Sequence, residues 1–273
     1  MLKKIMPLLF GAVIAFPLFG FDAKAAPVAE TTVNLQEQNT MSVLWFQTSG
    51  EAKALYYQGY NIGKMRLEEL LKKNPKKKGV KPAVVLDIDE TIVDNSPYQA
   101  WNVVSGTGYP VNWNQWIDRA EAKPLPGAVD FLNYANAKGV EIFYISNRSE
   151  AQKAATIKNL KQIGAPQADA RHILLQQPGE KGKETRRRQV AKTYDILLLF
   201  GDNLGDFSGF DNLSAAGRVQ AVENRKDEFG RKLIVFPNPM YGDWEGAIYN
   251  NDYSKSDNEK DQMRKQNLQP FMK

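Results

Sequence analysis

The stretch Val84-Val85-Leu86-Asp87-Ile88-Asp89-Glu90-Thr91 decides the fold. A short apolar run without polar alternation suits a strand buried on both faces of a parallel sheet. It ends in two carboxylates two residues apart, a spacing that points both side chains the same way in extended chain. Ligands of open α/β sheets gather beyond the carboxyl ends of the strands, so acids there are placed for chemistry. Taken by itself, the motif also fits two solvated aspartates opening a turn capped by Thr91.

The same rhythm continues outward. Strands are expected at 83–88, 140–146, 172–176, 196–201 and 233–236, with helices at 128–138, 151–163, 184–192 and 219–229 between them. Pro126-Gly127 precedes one helix, and Gly139 and Gly164 follow two others, where starts and stops belong. Upstream, Leu55, Gly59, Ile62, Leu67, Leu70 and Leu71 recur near helical spacing, with no proline from Ser42 to Lys73, which predicts one or two helices. Strand and helix in alternation argue an α/β fold, a doubly wound, Rossmann-like parallel sheet with helices on both faces. The segment 95–124 interrupts the pattern with Tyr98, Trp101, Tyr109, Trp113 and Trp116, as a small helical, aromatic cap insertion would. The highly charged tail beyond Asn250 is expected as a surface helix or disordered chain.

A second strand runs into acids at Leu197-Leu198-Leu199-Phe200-Gly201-Asp202-Asn203-Leu204-Gly205-Asp206-Phe207. With Asp87 as a nucleophile towards phosphorus and Asp89 protonating the leaving oxygen and then activating water, Asp202 would hold magnesium (Mg2+) alongside Asp87. Asp206 would hold a metal-bound water or orient a lysine. A third strand ends at Ser146-Asn147-Arg148, where the Ser146 hydroxyl and the N–H groups from Asn147 onward would bind phosphate oxygens as the chain enters a helix. Ser-Asn-Arg-Ser-Glu is equally an ordinary helix-capping sequence. Phosphoryl transfer also needs a cation, for which Lys181 and Lys183 are both candidates. Arg186, Arg187 and Arg188 mark that stretch as a basic surface.

At 273 residues the chain accommodates one sizeable domain, expected from 40 to 273 after a polar arm at 26–39. Lys3 and Lys4, an apolar run from Ile5 to Phe21, and Ala23-Lys24-Ala25-Ala26 match an export signal at 1–25, cleaved after Ala25 or Ala26. A periplasmic or secreted protein follows, with no stable membrane anchor after cleavage. The absence of cysteine excludes disulfides, thiolate catalysis, zinc–cysteine sites and an N-terminal lipid anchor. Removing Lys3, Lys4, Lys24 and Asp22 takes three positive charges and one negative from the formal +5, leaving +3, too weak for binding a nucleic-acid polymer. Lys76-Lys77-Lys78 is expected as a solvated loop. The lone His172, at the start of an apolar strand, is read as a packed or hydrogen-bonded residue.

In this order the four segments resemble the haloacid-dehalogenase (HAD) superfamily, specifically its class C acid phosphatases. Its Asp-x-Asp-Glu-Thr pattern is met by Asp87 to Thr91, and Gly-Asp-Asn-x-x-Asp-Phe by Gly201 to Phe207. Asp94 to Tyr98 and Asn238 to Gly246 resemble the same class. The resemblance implies that Asp87 is the nucleophile, Asp89 the acid/base, Ser146 a phosphate binder and Lys183 the phosphate-facing cation. Magnesium is implied at the Asp87 and Asp202 side chains and the Asp89 carbonyl, with Asp206 in support. The lysine segment is one residue shorter than the family's spacing, which keeps Lys181 in contention. Substrates implied are small phosphate monoesters, nucleoside 5'-monophosphates among them. Tyr109, Trp113 and Tyr241 are candidates to stack on a base, although core packing is the commoner use of an aromatic. Alternatives are a phosphotransferase with the same intermediate and an exported, non-catalytic binding protein on the same fold. A homo-oligomer is compatible with either.

Overall fold

A computed structural model of the protein describes residues 33–73 and 79–271. The expected leader, residues 26–32 of the arm and the Lys76-Lys77-Lys78 run lie outside them.

The first two α-helices are α1 (Thr40–Thr48) and α2 (Gly50–Lys73). They precede β1 (Lys81–Leu86), the short β2 (Val93–Asp94), α3 (Ser96–Ser105), α4 (Trp113–Arg119) and the short β3 (Lys123–Pro124). Next come α5 (Ala128–Ala137), β4 (Glu141–Ser149), α6 (Lys153–Gln162), β5 (Ile173–Gln176), α7 (Glu184–Ala191) and β6 (Tyr194–Gly201). The chain closes with α8 (Ala215–Asn224), β7 (Leu233–Val235), α9 (Asp243–Ile248) and α10 (Asp257–Gln266). The main sheet has five strands in the order β5-β4-β1-β6-β7. Every pairing in it is parallel.

Alternation along β1 builds a core on each face of the sheet. Val84 and Leu86 join Ile142, Tyr144, Leu198 and Phe200 on the face that carries Tyr60, Leu67, Phe131 and Leu160. Ala83 and Val85 join Phe143, Ile145 and Leu199 on the other, with Val190, Phe207 and Phe210. Each fully buried Leu or Phe contributes roughly 1.5–3 kcal/mol relative to exposure. Helix α2 lies close over the first face because of two glycines one turn apart. A Cβ at Gly59 would sit 2.4 Å from Phe236, and one at Gly63 2.5 Å from Phe200.

Two features depart from the expectations, and the charged tail takes the helical one of its two expected forms. Order does not wait for Thr40: Leu35–Asn39 form a 3-10 helix capped by the Asn34 side chain, with Leu35 buried. The charged tail forms α10, which docks on this segment through Gln38 to Asp261 (2.7 Å) and Arg264 to Gln38 (2.9 Å). Helix α8 begins at Ala215, earlier than the apolar pattern suggests, because Ser214 caps it through Gly217 N–H. The insertion is as expected in kind: α3 and α4 stand between β2 and β3, which pair antiparallel and close its base.

Candidate active site

Strand β1 delivers the first acids. Asp87 is the residue after Leu86, and its N–H donates to the Phe200 carbonyl of β6 at 3.0 Å, so the two strand ends stay level. Buried Ile88 separates Asp87 from Asp89 and anchors the turn by accepting from Ile92 and Val93 N–H. Glu90, fully buried, adopts φ +53, a left-handed conformation rare for a long side chain and a form of local strain. The surroundings hold it there: its carboxylate accepts Asn95 N–H at 2.6 Å and the Tyr241 hydroxyl, and its carbonyl accepts the Tyr56 hydroxyl.

Strand β6 delivers the second pair. Asp87, Asp202 and Asp206 each offer a carboxylate oxygen within 4.8 Å of the others. Asp206 folds back over its own strand, its Oδ2 accepting Asn203 N–H at 2.9 Å. Gly201 makes this return possible, since a Cβ there would lie 2.2 Å from Asp206 Oδ2. Asp202 accepts from Asn238 Nδ2 at 2.8 Å and from the Thr91 hydroxyl at 3.4 Å.

Lys183 stands immediately before α7 and is buried, whereas Lys181 is exposed. Its ammonium donates to Asp206 Oδ1 at 2.6 Å and to Asp87 Oδ1. Geometry therefore separates the two lysines that the shortened spacing left open. Arg186 and Arg187, expected on a basic surface, are buried, and only Arg188 remains exposed. Arg186 instead ties together the Ser146 carbonyl (2.6 Å), Asn147 Oδ1 (2.9 Å) and the Gly182 carbonyl (2.6 Å).

Strand β4 runs on to Ser149 before a 3-10 turn leads into α6, so Ser146 and Asn147 are not at a helix entrance as expected. Ser146 donates to Asp89 Oδ2 at 2.9 Å. Arg148 fixes the same carboxylate, with Nε and Nη2 at 2.9 and 2.7 Å from Asp89 Oδ1, and Asn95 Nδ2 adds a donor at 2.8 Å. Neither residue is given a role by the sequence: Asn95 lies in the Asp94–Tyr98 run that resembles the family, and Arg148 in a segment that passes for a cap. The aromatic candidates divide. Tyr241 is bound to Glu90 beside Asp89, while Trp113 packs edge-on against Tyr98 (5.0 Å) and Tyr109 (6.0 Å) in the insertion. Tyr109 is 71% exposed.

Electrostatics sort the carboxyls. Burial raises Asp87 well above the usual range despite Lys183, with Asp206 and Asp202 adding repulsion. Burial and Asp206 push Asp202 up to about 7. Burial would raise Asp89 too, but Arg148, Ser146 and Asn95 outweigh it and hold that carboxyl below the usual range. Burial alone would lower Lys183, yet Asp206 and Asp87 raise it, so it stays charged. Three clustered carboxyls share one ammonium, so holding all three ionised calls for further positive charge among these hard oxygen donors. That donor set fits a divalent cation.

The HAD superfamily, subfamily IIIB (Acid phosphatase) profile matches residues 19–244. The chain belongs to that family. The class C acid phosphatase of Bacillus anthracis superposes with a TM-score of 0.86 at 57% identity, over 88% of this chain and 100% of that one. The same enzyme with tungstate bound matches equally. Acid phosphatase 1 of Solanum lycopersicum is 24% identical over 165 residues, and the match spans 58% of this chain but only 57% of that relative. The class B acid phosphatase of Rahnella sp. (strain Y9602) is 25% identical over 173 residues, 56% of this chain and 71% of the relative. The family and these relatives indicate phosphoric monoester hydrolase activity.

Proposed function

We propose that this acid phosphatase is exported, depends on magnesium and hydrolyses phosphate monoesters, nucleoside 5'-monophosphates among them, through a phospho-aspartate. The observation that carries the reading is Lys183 held between Asp87 and Asp206 with Asp202 alongside, at the carboxyl ends of β1 and β6. An oxygen of Asp87, in its ionised form, attacks phosphorus and forms the O–P bond as the bond to the leaving oxygen breaks. Asp89 gives that oxygen the proton it carries at the start of the turnover, the donors that favour its ionised form making it the stronger acid. Asp89, ionised once more, takes a proton from water as the water oxygen attacks the phosphoryl group. The Asp87–phosphorus bond breaks, inorganic phosphate leaves and the carboxylate is restored. Lys183, Ser146 and the Asn147 N–H receive the charge on the phosphoryl oxygens, while Arg186 holds that strand end in place.

Asp87, Asp202 and Asp206 side chains, with the Asp89 carbonyl, would hold magnesium, which when bound offsets the repulsion between carboxylate and phosphate. That the related B. anthracis enzyme was obtained with tungstate, a tetrahedral oxyanion, supports a phosphate site in this fold. Tyr241, Tyr109 and Trp113 remain candidates to stack on a nucleobase, and Tyr241 has the best support because Glu90 ties it beside Asp89. Export rests on the leader. Among the described residues no helix is long and apolar enough to cross a membrane.

Asp87→Asn should lower turnover of p-nitrophenyl phosphate at least about a thousandfold while the circular dichroism spectrum stays native. Unchanged activity in that variant would rule out the phospho-aspartate. Chelation should stop the wild-type reaction, and magnesium near a hundred times its dissociation constant should stabilise the protein by about 2.7 kcal/mol, read as a rise in melting temperature.

A further inference from the structure

Helix α4 of the insertion reaches the acid/base residue through one buried amide. Trp116 Nε1 donates to Asn95 Oδ1 at 2.8 Å, and Asn95 Nδ2 donates to Asp89 Oδ1 at 2.8 Å and to Glu90 Oε2 at 3.3 Å. Asn95 is completely buried, and its backbone is already committed: its N–H goes to Glu90, and its carbonyl accepts from Tyr98 and Gln99 at the start of α3. What is left free is the orientation of the side-chain amide, which can present either its oxygen or its NH2 to the acids. An indole N–H is only a donor, so it demands the amide oxygen and leaves both amide hydrogens for the two carboxylates. Both N–H donors of the Asn95 side chain and one site on its oxygen are then used. The flipped amide would set an oxygen against carboxylate oxygens in a buried place, which is costly.

We propose that Trp116 is a positioning residue for Asp89, acting through Asn95: the indole N–H anchors the amide, in the orientation that the two carboxylates require, so that it holds the Asp89 carboxylate where it meets the leaving oxygen. This deepens the function proposed above and rests on Asp89 being the proton donor. It gives Trp116 a task distinct from the base-stacking suggested for the other aromatics. Trp116 is half-buried, packed on the main core, so its ring is held while its N–H points at the amide.

The dependence on the leaving group tests this. An alkyl phosphate such as glycerol phosphate releases a poor leaving oxygen that needs the proton, whereas p-nitrophenolate leaves almost unaided. Trp116→Phe keeps the ring and removes the N–H. It should lower kcat/KM for glycerol phosphate about tenfold, part of the 10²–10⁴ that a positioned acid supplies, and for p-nitrophenyl phosphate less than about twofold. Asp89→Asn should show the same split more strongly, and adding Trp116→Phe to it should cost nothing further. Equal losses on both substrates, or a further loss in the double variant, would mean that Trp116 serves only the fold and would overturn the inference while leaving the role of Asp89 intact. No split in Asp89→Asn itself would overturn the role of Asp89 and this inference with it. If Trp116→Phe does not yield folded protein by circular dichroism, Asn95→Ala carries the same test with the same expected split.

Discussion

The two ends of the sheet carry clusters built from the same kinds of residue, with opposite electrostatic outcomes. At the carboxyl ends of β1 and β6, burial pushes Asp87 and Asp202 up, and the neighbouring Asp206 adds to the rise of both. At the amino ends, His172 bridges Glu141 (Nε2, 3.0 Å) and Asp169 (Nδ1, 2.9 Å), with Lys81 at 3.1 Å from Glu141. Its bond to Glu141 is the main reason that carboxyl is lowered, and its bonds to Asp169 lower that one against a raising effect of burial. The two carboxylates at the amino end share His172, Glu141 has Lys81 besides, and Asp169 is about half exposed. At the carboxyl end three carboxylates compete for one ammonium. Paired charge near water stabilises a fold modestly, whereas crowded, desolvated charge is held ready for a ligand.

The comparison breaks most visibly at Lys183. Lys183→Met should reduce turnover of p-nitrophenyl phosphate by roughly 10²–10³-fold, because the charge facing the phosphoryl group is lost. It should also lower the melting temperature, since removing one partner of a buried pair costs about 3–5 kcal/mol. Activity within a factor of two of wild type would show that crowding at this end has no bearing on phosphate.

A smaller effect is expected at Gly201. Gly201→Ala drives a methyl into Asp206 and should displace it from Lys183, with a loss of roughly tenfold to a hundredfold in kcat/KM. The folded structure should survive, and magnesium should raise the melting temperature less than in wild type.

The smallest effect belongs to the opposite end. His172→Gln should leave kcat/KM unchanged and cost about 1 kcal/mol of stability, a modest figure because Asp169 is half exposed. The sign with pH follows from the lowered carboxyls. Stability tied to a depressed carboxyl is present above its unfolded pKa, about 4, and disappears as pH falls through the folded value. Melting curves of wild type and variant should therefore be separated at pH 6 and converge near pH 3. A gap that widened in acid would assign the stabilisation elsewhere.

The strand ends were legible because chemistry and burial there share one linear pattern. Asp87 and Asp89 follow β1, and Asp202 and Asp206 follow β6, each pair announced by an unbroken apolar run. Arg148 was not legible, because an arginine after Ser146-Asn147 reads as a capping sequence until β4 carries it beside Asp89. The burial of Arg186 and Arg187 had no linear signal either, since a run of three arginines reads as surface until α7 turns one side inward. β2 and β3 are two residues each, too short for periodicity, and exist only because the insertion brings its ends together. The docking of α10 on the N-terminal 3-10 helix joins residues more than two hundred positions apart, and neither segment is apolar enough to announce it.

The class of fold, the acids at two strand ends and the chemistry those acids suit follow from linear pattern, because alternation, strand length and the run from apolar to acidic are properties of neighbouring residues. Which lysine meets Asp87, which arginine holds Asp89 and which way the Asn95 amide faces are settled only in three dimensions. Those depend on hydrogen-bond partners converging from separate elements within about 3 Å, and local pattern carries no record of them.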